Sequence, residues 1–222
     1  QLIGGHWGPK PNAAVARIVE QESLFIKLKA RGIEAALLNA YPQRYFDGIE
    51  SGRRSYSAIP LAFTAAGIPL FTVHDLRAGH ALSADFTGEG WRTNLGISDA
   101  PVYSPHEAGQ RLAQLAAARP FSFFEHWPTD LVGHRGTLAD ARQVIERLDA
   151  VLGGLLEVWD DSAGLVVLTS DHGNLEDLSH THHTLNRVPT FVIGAARTDF
   201  AAGLSDLTHF APAILRMLSE QA

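Results

Sequence analysis

The chain has 222 residues, of which 45% are hydrophobic and 19% charged, a balance that suits one globular domain or a domain carrying a small subdomain. Its apolar stretches, such as Gly164 to Leu168 and Phe191 to Ile193, fall far short of the roughly 20 residues a bilayer crossing needs, so a membrane span is excluded. Lys and Arg total 18 against 24 Asp and Glu, a formal charge of -6 that removes any general attraction to nucleic acid, and the absence of cysteine excludes disulfides and thiol catalysis. Eleven histidines, several of them in the last quarter, supply the side chain best suited to holding a transition metal at neutral pH. The first residue is Gln1 rather than Met and the opening reads as a loop, so the chain is expected to be part of a longer product. A cytoplasmic location is the working expectation.

In chain order, Gly4, Gly5, Gly8, Pro9 and Pro11 form a loop, and Asn12 can cap a helix running to about Lys29 that Gly32 ends. Ile33 to Asn39 reads as a short buried strand closed by Tyr41 and Pro42. The stretch 43–101 is loop-rich, with an apolar helix over Ser57 to Ala66 and a strand over Ile68 to Val73, and is the candidate for an insertion or cap. Ser104, Pro105 and Glu107 make a capping box with Pro at the first helical position, leading into a helix over Ala108 to Ala118. Phe121 to Glu125 is a predicted strand. Thr137 to Leu156 is a predicted helix that keeps a 3.6 period through Ala141, Val144, Leu148, Val151 and Leu155. Leu165 to Thr169 reads as a strand buried on both faces, Val188 to Ile193 as another, and a last helix starts near Asp206. Alternating helix and strand give an α/β class with a largely parallel sheet flanked by helices, and in such sheets chemistry lies just past the carboxyl ends of the strands.

Three segments there carry metal-ligand chemistry. Asp130 and His134 stand four apart, which on a helical turn points both donors to one side, although a surface or capping pair has the same spacing. Asp171 and His172 follow the buried strand and precede Gly173, where a sharp turn can bring both onto one ion; a turn Asp beside a core His is the alternative. His180, His182 and His183 gather before the next strand, where three imidazoles would repel if charged, so ligation by at least one is favoured over a solvated loop.

Thr129-Asp130-Leu131-Val132-Gly133-His134, Thr169-Ser170-Asp171-His172-Gly173-Asn174 and His183-Thr184-Leu185-Asn186-Arg187-Val188-Pro189 together resemble the metalloenzyme domain of the alkaline phosphatase superfamily, and most of all the cofactor-independent phosphoglycerate mutases and their smaller relatives. The likeness covers Phe121 to Leu218 and is faint over Gln43 to Pro101. It implies two adjacent divalent ions, Mn²⁺ or Zn²⁺, one on Asp130, His134 and His183, the other on Asp171 and His172 with further ligands. It also implies a small phosphate ester as substrate and a Ser or Thr nucleophile expected upstream of Gln1, together with the opening strand of the domain. On this reading residues 1–222 form a single, N-terminally incomplete domain of a phosphatase or phosphomutase. Phosphodiesterases, phosphonate hydrolases and sulfatases share the metal core and stay open as alternatives, as does a non-catalytic metal-binding remnant.

Other polar residues are set aside. Glu176 and Asp177 read as a solvated turn, His180 and His182 as exposed loop residues, and His126 as a strand-end residue with a core histidine as the alternative. Arg53, Arg54 and Arg77 read as surface residues, and Lys10 and His6 as remote candidates for phosphate contact.

Overall fold

The computed structural model describes residues 10–219; His6 and most of the Gly-rich opening lie outside the described residues. Asn12 caps the first helix as expected, its side chain accepting from the N–H groups of Ala14 and Val15. The predicted single helix is two, α1 (Ala13–Glu22) and α2 (Leu24–Ala30), because Ser23 takes an extended conformation and its hydroxyl caps Ile26 N–H. Strand β1 (Ala35–Leu37) follows, fully buried.

Within 43–101 lie α3 (Gln43–Glu50), α4 (Ala58–Ala65), α5 (Val73–Arg77) and α6 (Glu89–Thr93). The strand predicted over Ile68 to Val73 is absent. Only Phe71 makes a bridge, to Ala40, and the reciprocal bonds between Thr72 and Asp75 turn the chain into α5 directly afterwards. Tyr45 of α3 and Phe63 of α4 share one apolar cluster with Phe25, Leu28 and Leu37, while Leu76 and Trp91 centre a second.

The capping box at Ser104 and Glu107 forms and opens α7 (Pro105–Ala117), which leads to β2 (Phe121–Phe123). Next come α8 (Pro128–Arg135) and α9 (Leu138–Val158), the latter capped by Thr137 and Asp140. Helices α7 and α9 touch backbone to backbone: a Cβ at Gly109 would fall on the Val151 carbonyl, and one at Gly154 on the carbonyl of His106. Strands β3 (Val166–Thr169) and β4 (Thr190–Ile193) are followed by α10 (Arg197–Ala201), a 3₁₀ turn at Leu207–His209 capped by Asp206, and α11 (Phe210–Ser219). Among the described residues no helix is long and apolar enough to cross a membrane.

The molecule is therefore mixed α/β, but among the described residues its strands form two two-stranded sheets. β1 and β2 run parallel, with Ala35 opposite Phe121 and Leu37 opposite Phe123. β3 and β4 run antiparallel, with Thr169 opposite Thr190. The chain between them, 170–189, contains no crossover helix and returns to the end it left, which fixes the opposite direction. Nor is β3 buried on both faces: Val166, Val167 and Leu168 are half-buried and Thr169 is exposed. Residues of β2, α9, β3 and α11 line a broad trough of about 3100 Å³, into which Asp130, His134, Asp171, His172 and His183 also open.

Candidate metal centre

The antiparallel turn has a direct consequence for the site. It sets the start of β4 beside the end of β3, so that His183, ahead of β4, shares a rim with Asp171 and His172, just after β3. A bridge between Gly173 and Thr184 fixes the two strands of this loop, Thr184 N–H donating to the Gly173 carbonyl at 2.8 Å. Gly173 is required here, because a Cβ would fall on the Thr184 hydroxyl.

Asp130 and His134 come from α8, one turn apart on the same face. Gly133 between them lets the helix approach the loop after β3, since a Cβ there would fall on Asn174. Through that close approach the buried Asn174 amide donates to Oδ1 of Asp130 at 2.8 Å and to its backbone carbonyl at 3.2 Å.

Four of the five residues singled out from the sequence converge at this rim, and Asp171 reaches the group only through its neighbour His172. His134 Nε2 lies 3.3 Å from Asp130 Oδ1, His183 Nε2 lies 3.2 Å from the same oxygen, and the two nitrogens are 3.1 Å apart. Asp130, His134 and His183 thus form a cluster able to hold a metal ion. Their spacing fits one: a tetrahedral shell with bonds of roughly 2.0 Å has donor-to-donor edges of about 3.3 Å. His172 sits alongside, its ring stacked on that of His183 with centroids 3.5 Å apart, its Nε2 3.7 Å from Asp130 Oδ1 and 3.6 Å from Asp171 Oδ1. Asp171 is the most exposed of the five.

The protonation pattern also suits ligation. His134 Nδ1 faces the Thr181 carbonyl at 2.7 Å, so the proton resides there and the Nε2 lone pair faces the cluster. Burial, with the neighbouring His172 as the next cause, pushes the His183 pKa below the ordinary imidazole value, keeping it neutral as a ligand must be.

Two contributions escaped the sequence reading. Glu176, set aside as a solvated turn residue, accepts hydrogen bonds from Thr184, Asn186 and the Asn174 N–H, and the Thr184 hydroxyl is the first reason its carboxyl is held at about 2. Asn174 followed the Asp-His pair in the motif without an assigned task. Gly173 beside it was the signal for close backbone approach. Glu125, just after β2, is half-buried, accepts from Tyr41 Oη at 2.7 Å, and has its pKa raised first by desolvation. His126 is half-buried, its ring stacked on Phe86 and its Nδ1 2.8 Å from the Ala84 carbonyl, which favours the core-histidine alternative. His180 is exposed and pairs with Asp177 at 3.6 Å.

The model of the metalloenzyme superfamily matches residues 106–219. The 2,3-bisphosphoglycerate-independent phosphoglycerate mutase of Methylobacillus flagellatus is 31% identical over 127 residues, 53% of this chain and 25% of that protein. That of Roseobacter denitrificans is 38% identical over 98 residues, covering 40% and 19%. The Halobacterium salinarum protein of the same name is 38% identical over 148 residues, covering 60% and 29%. The chain thus matches less than a third of the length of these curated relatives. No solved structure matches it. The family match takes in every residue of the Asp130, His134 and His183 cluster and slightly more than half of the 222 residues, and the chain belongs to the metalloenzyme superfamily.

Proposed function

We propose that the chain carries the metal-binding part of a two-metal phosphoryl-transfer enzyme, a phosphatase or phosphomutase acting on a small phosphate monoester, with Mn²⁺ or Zn²⁺ as the ions. The observation that carries the proposal is the convergence of Asp130, His134 and His183 to mutual separations of 3.1 to 3.3 Å, with Asp171 and His172 beside them. Divalent ions held there would neutralise phosphate charge and favour ionisation of an attacking hydroxyl. Asp130 supplies a formal negative charge to the set, and the Nδ1 contact to Thr181 orients the His134 ring. The trough opens onto the rim, and cations held there would offset the repulsion that an anion meets from a chain of net charge -6.

The likeness to phosphoglycerate mutases supports transfer between hydroxyls of a small phosphorylated acid over hydrolysis of a diester or sulfate ester. The proposal includes a Ser or Thr nucleophile, which the resemblance sets N-terminal to Gln1. It takes 1–222 as one alkaline phosphatase-like domain with 43–101 inserted as a cap, and the parallel pair β1 and β2 as part of a largely parallel sheet. Elemental analysis of the chain after chelation and reloading with Mn²⁺ or Zn²⁺ tests it: metal should be retained and lost on His183→Ala. Assays of the longer protein with phosphate monoester, diester and sulfate ester substrates should find a monoester preference. Unchanged metal content in the variant, or a diester preference, would refute the corresponding part.

A further inference from the structure

Glu176 lies outside the five residues assigned to metal, yet its carboxylate touches both halves of the loop that carries three of them. Oε1 accepts from the Thr184 hydroxyl and from Asn186 Nδ2 at 3.0 Å, both just after His183. Oε2 accepts from the Asn174 N–H at 2.6 Å, two residues after His172. Asn174 in turn donates through its side chain to Asp130 of α8. A continuous chain of hydrogen bonds therefore runs from Asp130 through Asn174 and Glu176 to Thr184, touching each of the three ligand-bearing segments.

We propose that Glu176 is a positioning residue whose carboxylate clamps the His172 turn to the His183 turn and sets the spacing of the cluster before any ion is taken up. The proposal rests on the metal-centre reading above. A carboxylate suits the position: three donors arrive from different directions, and an ionised acid accepts at both oxygens without any of them having to turn. The Gly173 to Thr184 backbone bridge keeps the two turns within its reach.

The test compares the full chain with Glu176→Ala, Glu176→Gln and the neighbouring Asp177→Ala. Mn²⁺ and Zn²⁺ affinities are measured by chelator competition, and amide exchange at Asn174 and Thr184 is followed in the metal-free state. Glu176→Ala should weaken binding about tenfold to a hundredfold, as loss of a group orienting a metal ligand does, and should speed exchange at both amides. Glu176→Gln should recover most of the affinity, since its carbonyl can still accept from Asn174 while the Thr184 hydroxyl rotates and the Asn186 amide flips to accept from its NH₂. Asp177→Ala, which removes a carboxylate bonded to Ser179 and paired with His180, should match the wild type.

Wild-type affinity in Glu176→Ala overturns the proposal. So does unchanged amide exchange, or a Gln variant as weak as Ala, which would make the effect one of charge alone. Should the unsubstituted chain take up no metal, the metal-centre reading fails, while the exchange comparison still decides whether Glu176 joins the turns.

Discussion

Nε2 of His183 faces Nε2 of His134 across 3.1 Å. The His134 proton resides on Nδ1, toward Thr181, so the gap must be bridged by a proton on His183 or by a cation. Binding of a metal therefore competes with protonation.

Metal affinity should accordingly hold through neutral pH and fall as the pH drops through the imidazole range, since each ligand must surrender its proton. His183, whose pKa burial lowers, should remain competent to lower pH than an exposed imidazole. Chelator competition between about pH 5 and pH 8 measures the slope; a flat profile would count against imidazole ligation.

The adjacent glycines of α9 offer an internal comparison. Gly154→Ala drives a methyl group into the His106 carbonyl, and Gly109→Ala does the same at Val151, so each should destabilise by at least about 1–3 kcal/mol. Gly153→Ala meets nothing within 4 Å and should stabilise by roughly 0.5–1 kcal/mol through helix propensity. Urea midpoints of the three variants measure the contrast.

His126 should make the fold acid-sensitive. Burial lowers its pKa from 6.5 to about 4, so the unfolded chain takes up a proton between those values while the folded chain does not. Stability is unaffected above 6.5 and falls as the pH descends to about 4, by about 3 kcal/mol in total. Thermal unfolding against pH should show a shallower decline in His126→Asn.

Glu125 works in the opposite sense. Burial raises its pKa, so the ionised form is a cost to the fold above the folded-state pKa, relieved as the pH falls through it. Glu125→Gln keeps an acceptor for Tyr41 and should raise the unfolding temperature at pH 7, with the gain vanishing below the usual carboxylate range. An unchanged or lower melting temperature at pH 7 would sink this account.

The ligand-bearing turns are legible in the sequence through their coincidence: Asp and His four apart with Gly133 between, an Asp-His pair before Gly173, and His180, His182 and His183 each have an ordinary reading alone, but together they restrict residue type as metal chemistry does. The helices from Pro105 and Leu138 are legible for a local reason, since capping boxes act within three residues. Other features depend on distant partners. Nothing local separates Glu176 from an ordinary exposed turn residue, because two of its hydrogen-bond partners lie eight and ten positions away. The apolar run at β3 reads alike for either strand direction, and the loop that reverses the chain decides it. The break at Ser23 was hidden because a Ser inside an apolar period looks like an interior helix position until its backbone conformation is known.

Strands β2 and β3 each pair along one side only among the described residues, and side chains of both line the trough. Such margins carry amide and carbonyl groups ready to template any extended peptide. Charged substitutions along these open sides should therefore lower any tendency of the chain to associate through them at high concentration.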